Sequence, residues 1–405
     1  MEPMESPRPD QGTSGNTGVL KIPRAKDDYT HEMARQRRDF IGAATGAPTH
    51  HLGIYSIKPD MLPGNIEHFS GVAQVPIGFA GPLLVDGEHA KGRFYVPLAT
   101  TEGTLVGSYN RGMKLIAACG GVRTTVMDDA MNRAPVFGLR DAREVREFGR
   151  FIEEHTEDLR RVAEATTSVG TLKSLQQFTA SRMMFLRVNM HTGDAAGQNM
   201  VSRATGAICE WIHEHWKSGF TFFNLTGNFC TDKKYSVLNT LHTRGRKVVA
   251  EVTIPADRIE EILGVSGERL FRHRVASGLG SQMSGTNNTG LHSANALAAL
   301  FIATGQDVAN LAESSSALCY TDLLPGGELY FSITIPSLIV ATWGGGTQLP
   351  TQKECLEILG CNGKGKVNKL AEIVAATILC GELSLASAIV TGEHITSHER
   401  YGRNR

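Results

Sequence analysis

Four ionisable side chains stand in segments whose composition could support catalysis. They are Glu102 after the apolar run 94–98, Lys233 within NFCTDKK, Asp307 after an apolar helix pattern, and His398 near the C-terminus. Each also has a structural interpretation, as a helix cap, a surface lysine, a helix-end residue or part of a solvated tail. Taken one at a time, the structural interpretation is the commoner outcome for such residues.

Together, the four groups could carry out reductive chemistry. A buried lysine beside a glutamate and an aspartate couples their titrations, so one carboxylic acid can stay protonated near neutral pH while the ammonium faces a carbonyl oxygen. Such a cluster would polarise a carbonyl group and deliver a proton as a hydride arrives. A nearby imidazolium could protonate a leaving thiolate.

A glycine-rich turn between a strand and a helix is a candidate phosphate site. Alternation over 184–191 predicts a strand with one mostly polar face, and apolar residues from Val201 to Trp211 recur at helical spacing. The turn between them is Gly193–Gly197. Free N–H groups and the helix dipole converge at such a helix N-terminus, which favours an anionic ligand.

The elements that would position these groups follow from local patterns. The predictions are a polar helix near Tyr29–Gly46, an irregular segment at Pro76–Pro82, a capped helix beginning near Asp141 and Glu144, strands at Lys247–Ile254 and Leu329–Ile335, and a buried helix at Asn295–Ala303.

Composition excludes several function classes. The formal net charge is zero, which removes the electrostatic argument for nucleic acid. The best candidate membrane span, Ala371–Val390, contains Glu372 and Glu382, so we interpret it as a buried helix. The first residues lack the apolar core of a signal peptide. We therefore expect a cytoplasmic protein with no nucleic-acid or membrane partner.

Cysteine and histidine spacing gives no metal site. The seven cysteines form no CxxC pair, which predicts reduced thiols rather than a disulfide framework. His213 and His215 lack HExxH spacing, so both imidazoles cannot share one helix face. We expect no metal.

Changes in composition and residue pattern along the chain predict an inserted module. Residues 1–25 are rich in Gly, Pro and Ser and are expected to be a flexible leader. A helical segment is predicted at 26–69. A larger module covers 70–134 and 225–391, with a smaller one inserted at 135–224. Residues 392–405 form a C-terminal segment.

At this point the motifs resemble a known family, the 3-hydroxy-3-methylglutaryl-CoA (HMG-CoA) reductases, of the class I type. The resemblance spans about 55–403 and is carried by ordered matches too numerous to be accidental. They are PIGFAGP (76–82), PLATTEG (97–103), GDAAGQNM (193–200), GNFCTDKK (227–234), GQD (305–307), GGGTQLPTQ (344–352), GELSL (381–385) and Ser397-His398.

The resemblance implies an activity and a role for each candidate. The family reduces HMG-CoA to mevalonate and CoA in two steps that consume two NADPH, in isoprenoid biosynthesis. Glu102 would donate a proton and Lys233 would stabilise the oxyanion. Asp307 would tune both, and His398 would protonate the CoA thiolate.

The resemblance also implies further site residues, a fold and an assembly. An α+β fold is expected, with a large domain around a central buried helix and an inserted ferredoxin-like domain that binds the nicotinamide cofactor. Active sites between subunits imply a homodimer or homotetramer. The residues implied near the substrate are Arg133, Thr226, Asp232, Lys234, His292 and Asn295, and those near the cofactor are Gly193, Asp194, Ala195, Gly197, Gln198 and Asn199.

Some positions depart from the family pattern. Gln198 stands where methionine is usual, and Thr226 where serine is usual. The segment 277–291 lacks the family's substrate-binding lysine, for which Arg274 is the nearest candidate, and the usual basic residue near Ser168 is missing. NADH therefore stays possible beside NADPH. The alternatives are a reductase of another acyl-CoA and, last, a non-catalytic CoA-ester binding protein.

Overall fold

The computed structural model describes residues 21–286 and 288–393. These residues fall into two compact units, divided between Gln74 and Val75. The module boundaries predicted from the sequence stay predictions.

The N-terminal unit contains one long helix, α1 (His31–Thr45). The Thr30 hydroxyl caps it by accepting the Met33 N–H at 3.1 Å, and Gly46 ends it in the left-handed conformation with φ 72°. The helix predicted near Tyr29–Gly46 is confirmed. Arg37 is fully buried within this unit, where its guanidinium donates to the backbone carbonyl of Phe69 at 2.9 Å.

The second unit combines one extended sheet with helices. Its strands are β1 (Ile77–Gly87), β2 (Lys91–Ala99), β3 (Val122–Arg133), β4 (Val136–Gly138), β5 (Thr171–Ala180), β6 (Met183–His191), β7 (Phe222–Asn224), β8 (Gly245–Ile254), β9 (Leu318–Leu323) and β10 (Leu329–Leu338). Its helices are α2 (Leu105–Ala118), α3 (Ala142–Glu154), α4 (Thr156–Glu164), α5 (Gln198–His215), α6 (Val237–Leu241), α7 (Ala256–Leu263), α8 (Gly267–Met283), α9 (Ser293–Thr304), α10 (Leu311–Ser314), α11 (Pro350–Ile358) and α12 (Val367–Thr391).

The strands form a mostly antiparallel sheet. They lie in the order β7-β4-β6-β3-β8-β10-β9, with β5 beside β6 and with β1 beside both β2 and β3. Of the observed pairs, β1 with β3 is parallel and the others are antiparallel. Antiparallel pairing with separate helices is the α+β class, so the predicted fold class is confirmed. The segment Pro76–Pro82 does enter a strand, but its register shifts between Ala80 and Leu83.

The core of the second unit is built around α12, which packs against α2, α9, β3 and β8. Among the described helices, α12 is long and apolar enough to cross a membrane, but 83% of its most apolar window is buried inside the protein. Both of its carboxylates have backbone donors. Glu372 accepts the His89 N–H at 2.9 Å, and Glu382 accepts the His292 N–H at 2.6 Å. The predicted buried helix is confirmed.

A second apolar cluster joins α3, α4 and α5 to β5 and β6. The predicted cap is present, because the Asp141 carboxylate accepts the Arg143 and Glu144 N–H groups. The strand predicted at 184–191 is confirmed as β6, and Arg187 and Asn189 on its mostly polar face are both buried. They are tolerated inside because other polar groups satisfy them: Arg187 donates to Gln176 at 3.1 Å, and Asn189 does the same.

Candidate active site

Two of the predicted catalytic residues meet directly. The Lys233 ammonium lies 2.9 Å from the Asp307 carboxylate, with side chains 45% and 43% exposed, so a ligand can reach both. Asp307 follows α9, which Gly305 ends in the left-handed conformation with φ 70°. An added Cβ at Gly305 would lie 2.3 Å from the Gly346 carbonyl oxygen, so this turn requires glycine.

The loop that carries Lys233 is held in an unusual backbone conformation. Asn228, Thr231 and Lys233 all have positive φ, at 61°, 57° and 55°. Such angles are costly for residues with a side chain and persist only where surrounding contacts fix them. One of these contacts is the Lys233 N–H, which donates to the Glu313 carboxylate at 3.1 Å.

Arginines and carboxylates form a network immediately behind Lys233. Asp232 pairs with Arg133 at 2.8 Å and with Arg244 at 2.6 Å. Arg244 also pairs with Glu313 at 2.5 Å, and both of these side chains are fully buried. Asp232 directly precedes Lys233 and contacts Arg133, and the substrate roles that the resemblance implies for both stay predictions.

Charge and burial act in opposite directions in this network. Burial alone would raise the pKa of Asp232, but the Arg244 and Arg133 guanidinium groups outweigh it and hold that pKa below its usual value. Burial raises the pKa of Glu313 despite the charge of Arg244. The two arginines therefore favour the charged form of Asp232, whereas burial disfavours the charged form of Glu313.

Glu102 lies in a different hydrogen-bonded group. Asn295, at the start of α9, donates its amide to the Glu102 carboxylate oxygens at 3.1 and 3.2 Å. Among the described side chains, no ion pair joins Glu102 to Lys233. Glu102 does not cap α2 either, since the N-cap residue of that helix is Thr104 and no side chain caps it. The contacts that the structure shows are the pairs Lys233–Asp307 and Glu102–Asn295, and the three-residue cluster stays a prediction.

His292 lies just before Asn295 in a buried setting. It is 5% exposed, and burial lowers the pKa of its imidazole to about 4. Its Nε2 lies 3.4 Å from the Ser108 hydroxyl, and its Nδ1 has no hydrogen-bond partner within the described part of the chain. The imidazole is therefore neutral at pH 7 and can act there as a neutral hydrogen-bonding group.

Buried Glu382 and Arg274 support the segment before His292. Arg274 donates to the Thr289 carbonyl at 2.6 Å and lies 3.7 Å from the Glu382 carboxylate. It is 8% exposed. The suggestion that Arg274 replaces a substrate-binding lysine finds no support in this geometry, because the guanidinium points into the protein and is used there.

The predicted phosphate turn leads into α5 as expected. Gly197 begins this helix in the left-handed conformation with φ 82°, and no side chain caps it. The N–H groups of the first turn are therefore left for water or a ligand. Gly197 must be glycine, since an added Cβ would lie 2.2 Å from the Thr192 methyl carbon. Asn199 is exposed on the same turn.

The other turn residues make contacts within the protein. The Asp194 carboxylate accepts the Gly365 and Lys366 N–H groups at 2.7 and 3.0 Å, at the start of α12. The Gly193 carbonyl accepts from Arg246, and the Ala195 carbonyl from Thr192. Asp194 thus joins the turn to the central helix by capping α12. The cofactor contact that the resemblance implies for Asp194 stays a prediction.

Gln198 contacts Asp232, a member of the charge network behind Lys233, and also contacts Asn310. Its amide nitrogen lies 3.0 Å from the Asn310 side-chain oxygen and 3.4 Å from Asp232 Oδ1. Asn310 is itself almost fully buried, at 1% exposed. The first residue of α5 is therefore joined to both segments that carry the Lys233–Asp307 pair.

The remaining candidates are peripheral or lie outside the described residues. Thr226 is exposed after β7, and Lys234 is exposed with its ammonium on the Asp232 carbonyl at 3.0 Å. His398 lies outside the described residues. Sequence reasoning missed Arg244 and Glu313, the fully buried ion pair behind Lys233, because their wide separation in the chain left no spacing signal.

Comparison with known proteins identifies the family. The family model for hydroxymethylglutaryl-coenzyme A reductase matches residues 33–403. A 3-hydroxy-3-methylglutaryl-coenzyme A reductase of Methanocaldococcus jannaschii is 42% identical over 376 residues, covering 91% of this chain and 92% of that protein. One from Pyrococcus horikoshii is 41% identical, covering 91% of each.

More distant relatives agree. The 3-hydroxy-3-methylglutaryl-coenzyme A reductase 2 of Dictyostelium discoideum is 38% identical, covering 90% of this chain and 70% of that protein. A class II enzyme of Streptococcus pneumoniae, solved with NADPH, has a similar fold with a TM-score of 0.66 at 20% identity, covering 88% of this chain and 86% of that one. The chain belongs to the hydroxymethylglutaryl-coenzyme A reductase family.

Proposed function

We infer that this protein is an oxidoreductase that reduces HMG-CoA to mevalonate and CoA with two NADPH. The structural observation that carries the inference is the accessible Lys233–Asp307 pair at 2.9 Å, set beside the uncapped N-terminus of α5. The names of relatives about 40% identical over most of the chain favour HMG-CoA over another acyl-CoA thioester.

The chemistry needs two reductions and one bond cleavage. In the first, a hydride adds to the thioester carbonyl carbon, the C–S bond breaks, and CoA leaves as a thiolate with an aldehyde remaining. In the second, a hydride adds to the aldehyde carbon and a proton to its oxygen. NADPH supplies both hydrides. Lys233 holds the developing negative charge on the carbonyl oxygen, with Asp307 orienting its ammonium.

Glu102 is the candidate proton donor, and Asn295 fixes the position of its carboxyl group. His398 is the candidate acid for the CoA thiolate. A protonated thiol is a poorer nucleophile than a thiolate, so this proton transfer prevents the thiolate from adding back to the aldehyde. His292, kept neutral by burial, would hydrogen-bond the substrate rather than carry charge.

The residues at the start of α5 fit a nicotinamide dinucleotide. The first-turn N–H groups have no side-chain cap, so they can donate to a phosphate. We place the cofactor there, along Gly193–Asn199. NADPH is favoured over NADH because a structural neighbour was solved with NADPH bound.

Finer features are proposed on the same basis. The class I type is supported by identities of 38–42% to archaeal and Dictyostelium enzymes against 20% to a class II enzyme of similar fold. We also propose a cytoplasmic homodimer or homotetramer, with residues 135–224 as the cofactor domain and His398 on a C-terminal segment.

Substitution of Lys233 tests the assigned chemistry. Lys233→Ala should lower kcat for HMG-CoA by roughly 10²-fold or more, because removal of one oxyanion-stabilising donor costs that much. Lys353→Ala is the matched control, since Lys353 is 47% exposed and also pairs with a carboxylate, on a surface helix. A Lys233→Ala enzyme within threefold of wild type would contradict the assignment.

Substitution of His398 separates the two halves of the reaction. His398→Ala should slow NADPH oxidation with HMG-CoA but spare reduction of the free aldehyde, from which no thiolate leaves. Steady-state rates with each substrate measure this. Equal losses with the thioester and the aldehyde would exclude His398 as the thiolate acid.

A further inference from the structure

Gln198 makes two contacts that together span the candidate catalytic pair. Its side-chain amide nitrogen carries two hydrogens. Asn310 Oδ1 lies 3.0 Å from it and Asp232 Oδ1 lies 3.4 Å from it. One amide group therefore joins two segments of the chain that are far apart in the sequence.

Each of these segments carries one member of the pair. Asp232 directly precedes Lys233 in the chain, and the Asn310 N–H donates to the Asp307 carbonyl at 3.0 Å. A shift of Asp232 or Asn310 would therefore move Lys233 or Asp307. The 2.9 Å contact between their charged groups is directional, so small displacements weaken it.

Gln198 itself belongs to α5, the helix that we assign to the cofactor. Gln198 is the first residue of α5, directly after Gly197. The Ser202 hydroxyl, one turn along α5, accepts the Arg133 Nε–H at 2.7 Å and so links the same helix to the Asp232 network. The start of α5 is thus fixed relative to Lys233 by two polar side chains.

We propose that Gln198 is a positioning residue that holds the Lys233–Asp307 pair in a fixed position relative to the N-terminus of α5. This inference rests on the proposed function, in which the pair acts on a carbonyl and α5 holds the cofactor. Gln198 acts through its neighbours and touches neither hydride nor carbonyl. The Asn310 amide nitrogen is buried and has no hydrogen-bond partner among the described residues. The hydrogen bond from Gln198 to Asn310 Oδ1 is therefore the contact that orients the Asn310 side chain.

Gln198→Met removes both donors at nearly constant volume. We expect kcat with HMG-CoA and NADPH to fall about 10-fold or more, as for loss of a hydrogen bond to a charged group, while KM for HMG-CoA changes less than threefold. Gln177→Met is the matched control, since the Gln177 amide donates to the Gly149 carbonyl at 3.0 Å away from this site. The control should keep kcat within twofold at a similar change in melting temperature.

A double-mutant cycle shows whether the effect passes through Asn310. Gln198→Met should cost less in kcat in an Asn310→Ala background than in wild type, because one of its two contacts is already lost. Full additivity, or a Gln198→Met kcat within twofold of wild type, would overturn the positioning role. Loss of kcat that merely parallels loss of thermal stability across both glutamine variants would overturn it as well.

Competitive chemical labelling of lysines tests the same inference without catalysis. Reactivity of Lys233 towards an amine reagent, relative to Lys353, should rise severalfold in Gln198→Met and stay unchanged in Gln177→Met. An unchanged ratio in Gln198→Met contradicts the inference whatever the activity. A wild-type protein that oxidises no NADPH with HMG-CoA contradicts the proposed function instead, while the labelling ratio still decides the role of Gln198.

Discussion

Removal of the Arg244 side chain probes the charge network behind Lys233. Arg244→Leu would leave Glu313 fully buried without its 2.5 Å partner, whereas Asp232, 23% exposed, would keep Arg133 at 2.8 Å. Breaking a buried ion pair by removing one partner costs about 3–5 kcal/mol, and most of that cost should come from Glu313. Urea unfolding of wild type and variant measures it.

A second substitution separates charge from lost packing. Glu313→Gln in the Arg244→Leu background removes the unpaired buried charge and still offers an acceptor to the Lys233 N–H. It should therefore restore about 2 kcal/mol or more of the free energy of unfolding. A double variant as unstable as the sum of the two singles would contradict this reasoning. So would an Arg244→Leu cost below about 1 kcal/mol, the range of exposed ion pairs.

The cost should also depend on pH. Burial raises the pKa of Glu313, so a carboxyl group without Arg244 is neutralised more readily in the folded than in the unfolded protein. A folded-state pKa above the unfolded value stabilises the fold as pH falls. The Arg244→Leu cost should therefore shrink between pH 8 and pH 5, and a cost that grows over this range would contradict the account.

Two further predictions concern His292 and the glycine turn. Burial lowers the pKa of His292 from 6.5 to about 4, so wild-type stability should fall as pH falls through that window, by about 3 kcal/mol in all. Urea unfolding of His292→Gln should lose that pH dependence, and the same change at exposed His89 should retain it. Gly197→Ala should weaken NADPH binding and lower the melting temperature more than Gly193→Ala, because an added Cβ meets Thr192 at position 197 and nothing within 4 Å at position 193. Equal effects of the two glycine variants, by melting and NADPH titration, would show that the contact with Thr192 has no cost.

Local patterns in the sequence predicted the elements well. The strand Lys247–Ile254 lies within β8, and the buried helix Asn295–Ala303 lies within α9, because alternation and helical spacing record which side chains face the core. The interpretation of Ala371–Val390 as a buried helix is confirmed by α12. An apolar run with isolated carboxylates is typical of a buried helix whose carboxylates have partners inside the protein.

The site was harder to predict, because its geometry depends on contacts between distant segments. No local pattern indicated that Gln198 would contact Asn310, or that Arg244 would pair with both Asp232 and Glu313. The resemblance implies that Asp194 lies near the cofactor, and this stays a prediction. Its carboxylate also caps α12, a contact that local spacing could not reveal.

The stoichiometry of cofactor oxidation tests the central claim most directly. Purified protein is mixed with limiting HMG-CoA and excess NADPH, and the nicotinamide absorbance and free thiol are followed to completion. The account predicts two NADPH oxidised and one CoA thiol released for each HMG-CoA consumed. No NADPH oxidation, or one NADPH per thiol with the aldehyde accumulating as the final product, would contradict it.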